Sequence, residues 1–213
     1  MMQVAGLVVA ALVGWSAGMG LDRLAVWLPG RLLAARRATE GHTGSPPPWR
    51  KVALEGATAL VAMALWWRYG PSWALWPAGL MALFLLLVAA IDIDRRLVLN
   101  EMLVVAAGLA LLNAAAHGWG SLGRALLGGL LALGLFSLLA LLQRGALGSG
   151  DVKLAGVLGL AFGYPVALRA LILGVIVGGV VAAILLLTRL VNRRTMIPYA
   201  PFLAAGGILV LLI

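Results

Sequence analysis

Cysteine is absent from this chain, and histidine occurs only at His42 and His117. Without cysteine there is no disulfide, no thiolate nucleophile and no cysteine-ligated zinc site. Both histidines lie in polar connections between apolar runs, so a histidine metal cluster is not expected either. We therefore expect no metal and no other cofactor.

Charge is also scarce, because only 11% of the 213 residues are charged whereas 63% are hydrophobic. A soluble domain of this size could not cover so much apolar surface, so the solvent around the folded chain must be lipid. The composition predicts an all-α polytopic membrane protein with one helical domain over residues 1–213. The net charge of +9 would suggest nucleic acid in a soluble protein. Here topology explains it better, and no nucleic-acid partner is expected.

Seven apolar windows are long enough, at roughly 17–25 residues, to cross a bilayer. They are 3–22, 52–69, 73–93, 98–116, 124–142, 166–187 and 197–213. The first window is followed by further spans, so it is expected to be a membrane helix rather than a cleaved signal peptide. A shorter apolar piece, 152–163, ends at a glycine and a proline. Counting it as a short sixth helix gives about eight transmembrane helices.

The positive charges predict the orientation of these spans. With the N-terminus outside, the inner connections are 23–51, 94–97, 143–153 and 188–196, and they hold thirteen Lys or Arg residues against three on the outer side. Cytoplasmic connections carry such an excess of positive charge. Omitting the short helix would move Arg189, Arg193 and Arg194 outside, so the bias also favours eight crossings. The connection 23–51 is predicted to be a basic, turn-rich cytoplasmic loop.

Two acidic clusters lie at the ends of apolar runs, about 60 residues apart. Asp92 and Asp94 close the third window, and Asp151 follows the glycine pair Gly148 and Gly150. Aspartates at membrane depth are costly and usually functional. The predicted topology puts all three at the cytoplasmic edge, where two carboxylates could share a proton and divide the acid and base work of peptide hydrolysis. The glycines would allow unusual backbone angles and a close approach of an extended peptide.

Other interpretations of these residues remain open. Asp151 could simply be a helix N-cap, and Asp94 beside Arg95 could be a solvated interfacial pair. A small proton-coupled transporter could use the same aspartates as a relay, although acids at one edge of the membrane are less suited to that than acids near its centre. Ser16, between Gly14 and Gly18, matches a nucleophile-elbow pattern, but small residues there also suit helix packing.

Three motifs resemble those of the type IV prepilin leader peptidases, membrane aspartyl proteases with a Gly-x-Gly-Asp signature. Residues 90–100 read AIDIDRRLVLN and are similar to the family's stretch around the first aspartate, with Leu99 where proline is usual. Residues 148–154, GSGDVKL, are similar to the second aspartate motif, and residues 197–204, IPYAPFLA, to a C-terminal segment. The resemblance covers most of the chain from the second window onward, and its motifs occur in the family's order.

The resemblance implies that Asp92 and Asp151 are the catalytic residues. Asp92 fits better than Asp94 because the preceding isoleucine and the downstream Asn100 align with it, and Asp94 is the second choice. The remaining motif residues are expected to support the site: Gly148, Gly150, Lys153 and Asn100. Candidate substrate contacts are Glu55, Pro198 and Pro201, although Glu55 could equally be a hydrogen-bonded acid near the interface.

The resemblance also implies a substrate and a location. A peptidase of this family would cut the short basic leader of a prepilin or pseudopilin after a glycine, at the cytoplasmic face of the bacterial inner membrane, in type IV pilus assembly or protein secretion. Its partners would be the substrate's hydrophobic helix and the lipid bilayer. Many members carry a larger cytoplasmic domain with cysteine zinc ligands, which is linked to N-methylation. Here the loop 23–51 stands in its place without cysteine, so N-methyltransferase activity is not expected.

Overall fold

The computed structural model describes residues 2–32, 48–142, 147–189 and 198–213, and this part of the chain forms eight α-helices. They are α1 (Met2–Leu32), α2 (Pro48–Tyr69), α3 (Leu75–Arg95), α4 (Asn100–Ala116), α5 (Trp119–Leu142), α6 (Ser149–Phe162), α7 (Val166–Leu187) and α8 (Ala200–Leu212). The predicted fold class, an all-α polytopic membrane protein, is confirmed.

Four of the described helices, α1, α3, α5 and α7, are long and apolar enough to cross a membrane. The helix α6 is short at 14 residues, as predicted. However, α8 is shorter still at 13 residues, because it begins at Ala200 and not at residue 197. The helices α4 and α8 are apolar but below the length of a full crossing. For α2, α4, α6 and α8 the crossing itself stays a prediction.

The largest difference from the predicted boundaries is at α1, which continues ten residues past the apolar window 3–22. The predicted loop 23–51 is therefore wrong at both ends: residues 23–32 belong to α1, and residues 48–51 belong to α2. Residues 33–47 lie outside the described residues. A 31-residue helix is about 46 Å long, and a bilayer core is about 30 Å thick. A charged residue interrupts an apolar window, but the helix can continue through it.

Three other boundaries differ from the predicted ones by two to five residues. The helix α3 runs on through Asp94 and Arg95, and α6 already begins at Ser149. The helix α5 begins at Trp119 and not at residue 124, whereas the predicted 166–187 coincides with α7. The acids of both clusters consequently lie within helical turns and not in connecting loops.

The helices α1, α2 and α3 form one compact unit, and α4 to α8 form the other. The expectation of a single domain stays a prediction. In the first unit, α1 packs along α2 and α3 contacts both. A Cβ atom on Gly14 would lie 2.6 Å from the backbone oxygen of Thr58 on α2. Ser16 donates a hydrogen bond to the carbonyl oxygen of Val13 at 2.8 Å, so this glycine-rich stretch serves helix packing.

In the second unit, α5 packs along α6, and α4 and α7 contact both of them. Gly128 on α5 and Gly159 on α6 meet backbone to backbone, because a Cβ atom on Gly128 would lie 2.5 Å from the oxygen of Gly159. The helices α7 and α8 approach in the same way, with Gly174 against Phe202. These small residues allow close packing of α5 on α6 and of α7 on α8 within this unit.

We expect Gly128→Ala to destabilise the second unit by about 1–3 kcal/mol, the usual cost of overpacking. The added methyl group would meet the backbone of α6, which cannot rotate away as a side chain can. The measurement is the thermal unfolding midpoint in detergent micelles. Gly134→Ala on the same helix is the matched control, because a Cβ atom there meets nothing within 4 Å. Equal midpoints for the two variants would contradict close packing at Gly128.

Candidate functional site

Asp151 lies in the first turn of α6, three residues after Gly148, which is the N-cap residue. Its Oδ2 accepts a hydrogen bond from the backbone N–H of Gly148 at 3.2 Å, and the backbone N–H of Ala200 also donates to this carboxylate. Only 8% of the residue is exposed. The positive end of the helix dipole favours an anion at this position. Asp151 is therefore a buried acid held by main-chain donors from the starts of two helices, and it is not the N-cap itself.

The two glycines of the motif act differently from the expectation. Gly148 has φ −73° and ψ 147°, an extended conformation that any residue adopts, so the expected unusual backbone angle is wrong there. Gly150 is inside the helix, and a Cβ atom on it would lie 2.8 Å from Cβ of Val98. Its lack of a side chain lets α6 start against the segment that precedes α4.

The segment before α8 completes the surroundings of Asp151. Tyr199 is the N-cap residue of α8, and its ring contacts those of Phe136 and Phe202 at centroid distances of 6.2 and 6.1 Å. Pro198 and Pro201, the candidate substrate contacts, are half-buried on either side of it. The direct contact with Asp151 comes instead from the backbone of Ala200, which the sequence analysis did not single out. The position of Ala200 between Pro198 and Pro201 is the sequence feature that could have identified it.

Lys153 and Asn100 are brought together by the fold. Lys153 Nζ donates a hydrogen bond to Asn100 Oδ1 at 2.9 Å, although 53 residues separate them in the chain. Asn100 is the first residue of α4, and Lys153 lies in the first turn and a half of α6. This bond ties the end of the first aspartate motif to the second motif.

The other predicted acids lie in the first unit, at the end of α3. Asp92 is buried, with 5% of its surface exposed. Asp94 is two residues further along the same helix. Residues two apart on an α-helix point in directions about 200° apart, so the two side chains have different surroundings.

Asp94 forms an ion pair with Arg50, and the same guanidinium also binds Asp22. Arg50 Nη1 donates to Asp94, while Nη2 donates to Asp22 Oδ1 and, at 3.2 Å, to the Asp22 carbonyl oxygen. The Arg50 side chain is 5% exposed. One buried arginine therefore connects α1, α2 and α3. The interpretation of Asp94 as a solvated pair with its neighbouring arginines is wrong, because its partner is a buried arginine 44 residues away.

Arg50 and Asp22 are neighbours of Asp94 that the sequence motifs did not indicate. Both lie at the same predicted membrane edge as Asp94, and burying any of these charges without a partner would be costly. One positive and two negative charges at the ends of three successive apolar windows were the signal that could have linked them.

Glu55 lies on α2 and is mostly buried. Its Oε2 accepts a hydrogen bond from Trp15 Nε1 at 2.7 Å, and Lys51 Nζ is 4.0 Å from Oε1. The interpretation as a hydrogen-bonded acid agrees with these contacts. A contact between Glu55 and a substrate stays a prediction.

Arg50, Thr58, Asp92 and Asp151 are the polar or charged residues that the described part of the chain buries most fully. Two of the four are the acids predicted from the motifs. Burial removes competing water and strengthens the interaction of a carboxylate with a reacting group. Within the described ranges, no three His, Asp or Glu side chains are grouped so that they could hold a metal ion.

Comparison with known proteins gives a family match and several relatives. The model of the type IV leader peptidase family matches residues 79–187, just over half of the chain. A prepilin leader peptidase/N-methyltransferase of Bacillus subtilis is 31% identical over 160 residues, which are 74% of this chain and 63% of the relative. Proteins with the same name are 30% identical in Pseudomonas aeruginosa, over 75% of this chain and 57% of the relative, and 29% identical in Aeromonas hydrophila, over 88% and 63%. The chain thus spans less than two thirds of the length of these relatives. No solved structure gives a significant match.

Proposed function

The chain belongs to the type IV leader peptidase family, and from this premise we propose that it is a membrane aspartyl endopeptidase that removes leaders from prepilin- or pseudopilin-like proteins. The observation that carries the proposal is the burial of two aspartates, Asp92 and Asp151, each within its own family motif.

We propose that Asp92 and Asp151 divide the chemistry between them. One carboxylate takes a proton from a water molecule, whose oxygen attacks the carbonyl carbon of the scissile peptide bond. The other, protonated, acid donates a hydrogen bond to the carbonyl oxygen. The tetrahedral intermediate then breaks its C–N bond, and the amine leaves with the proton that the first carboxylate took up. The main-chain N–H groups that bind Asp151 support its part in this scheme. They fix the position of the carboxylate and carry no net charge that would neutralise it.

The contacts of Asp94 favour Asp92 as the catalytic aspartate of α3. The Arg50 guanidinium binds both Asp94 and Asp22, so the Asp94 carboxylate is part of a bridge between helices. This supports a structural role for Asp94, and the alignment of Asp92 with the family's first aspartate motif supports Asp92 as the catalytic acid.

The reaction is proposed to take place at the cytoplasmic face of the bacterial inner membrane, with the N-terminus of the chain outside. The thirteen-to-three distribution of Lys and Arg supports this orientation. The substrate's apolar segment would enter from the bilayer, with its basic leader on the cytoplasmic side, and Glu55, Pro198 and Pro201 are the candidate contacts for it. The proposal covers the peptidase reaction and not N-methyl transfer.

Cleavage of a defined substrate tests this function. The purified protein, in liposomes, is given a peptide with a short basic leader, a glycine and about 20 apolar residues, a length that spans a bilayer. We expect cleavage directly after the glycine and an unmethylated new N-terminus, both read by mass spectrometry. A peptide with leucine in place of that glycine is the matched control and should be cut at least about tenfold more slowly, because steric misplacement of a scissile bond is costly. An intact peptide after incubation with the wild-type protein would contradict the proposal.

A further inference from the structure

The Arg50 cluster, meaning Asp22, Arg50 and Asp94, joins one buried arginine to two partly buried carboxylates. Resting on the proposed function, we propose that Arg50 is a positioning residue that sets the rotation of α3 about its axis, and with it the direction of Asp92. The cluster takes Asp22 from α1, ten residues before that helix ends, Arg50 from the start of α2 and Asp94 from the end of α3.

The guanidinium is suited to hold two partners at once. Its planar fork presents donors in fixed directions, and Nη1 and Nη2 bind carboxylates on different helices. Nη2 also binds the Asp22 carbonyl oxygen, so the bridge reaches the main chain of α1 as well as a side chain. A rigid donor set of this kind fixes the α3 side chain relative to α1 and α2.

The link to Asp92 follows from helix geometry. Asp92 and Asp94 are on the last turn of one helix, and a helix turns as a rigid body over so short a distance. Any rotation of α3 that separated Asp94 from Arg50 would turn the Asp92 side chain through the same angle. Because the two acids point about 200° apart, the bridge restrains Asp92 without occupying its carboxylate.

A merely stabilising ion pair would make a different prediction. Removing Arg50 alone leaves two partly buried, uncompensated carboxylates, which is destabilising, whereas replacing all three charged residues by apolar ones is often neutral. If the cluster only compensated charge, neutralising all of it would restore both stability and activity. If it orients α3, stability would return and activity would not.

The experiment compares Arg50→Met with the apolar triple variant Asp22→Leu, Arg50→Met, Asp94→Leu, using the leader peptide. We expect Arg50→Met to lower both the melting temperature and kcat, the latter by about 10- to 100-fold, the usual effect of misplacing a reacting group, with KM changed less than about threefold. The triple variant should regain the melting temperature and keep the low kcat. Arg23→Met is the matched control, because Arg23 is an exposed arginine beside Asp22, and it should leave kcat unchanged. Recovery of kcat in the triple variant would overturn the inference and leave the proposed function standing.

Hydrogen exchange gives a second measurement that does not depend on activity. We expect the backbone amides of residues 88–95 to exchange faster in Arg50→Met and in the triple variant than in the wild type or Arg23→Met. If the wild-type protein cut no leader, the proposed function would fail, and exchange would still report whether Arg50 holds the end of α3. Unchanged exchange in Arg50→Met would overturn the inference by itself.

Discussion

Asp151→Asn is expected to abolish leader cleavage, with a loss in kcat of at least about 10³-fold, within the range attributed to a positioned acid or base. Asparagine has nearly the shape of aspartate, and its side-chain oxygen can still accept the hydrogen bond from Gly148 N–H. The change therefore removes the ability to take up and release a proton while it preserves the start of α6. The measurement is kcat on the leader peptide at saturating peptide concentration.

The control for this variant is Glu101→Gln. Glu101 is an exposed acid in the first turn of α4, so it reproduces the change from carboxylate to amide near the start of a helix in the same unit. We expect its kcat to stay within about twofold of the wild type, because exposed surface substitutions have small effects. Similar melting temperatures for the two variants would show that neither unfolds. Cleavage at a normal rate in Asp151→Asn would exclude the aspartyl mechanism.

Most of the helices could be predicted from the sequence because membrane helices are long apolar runs, and hydrophobic length is a strong local signal. The ends of α1 and α3 could not, since charge ended the apolar window while the backbone continued its hydrogen bonding. At α1 the continuing helix carries Asp22, whose charge is compensated by Arg50. The partner of Asp22 is 28 positions away in the chain, so no local pattern contains it.

The candidate site was likewise predictable where it depends on local sequence, and not where it depends on the packing of distant segments. Asp151 and its glycines were found from a short motif, because a helix start with a first-turn acid is a local arrangement. The donation from Ala200 and the pairing of Lys153 with Asn100 depend on helix packing between distant segments. Even within the motif, the reason why residue 150 is a glycine is its close approach to Val98, which only the structure reveals. Sequence patterns therefore identified which residues matter, and packing was needed to say what each one contacts.

Asp92→Asn and Asp94→Asn together test which acid of the α3 cluster takes part in catalysis. We expect Asp92→Asn to lower kcat by at least about 10³-fold, because it removes an acid or base from the reaction. Asp94→Asn should lower kcat by no more than about 100-fold, because an asparagine oxygen can still accept a hydrogen bond from Arg50 and the end of α3 stays partly restrained. Both variants are assayed on the same leader peptide, with the melting temperature as a check of folding.

The two variants are matched, since each replaces one carboxylate by an amide within the last turn of the same helix. Asp94→Asn removes charge from a bound ion pair, so we expect the larger loss of melting temperature there and the larger loss of rate at Asp92. The two variants would thus rank in opposite order for the loss of melting temperature and for the loss of rate. That result would separate a structural acid from a catalytic one. A profile in which Asp94→Asn lost all activity and Asp92→Asn kept it would move the catalytic role to Asp94. It would also require Arg50 to release that carboxylate before the reaction.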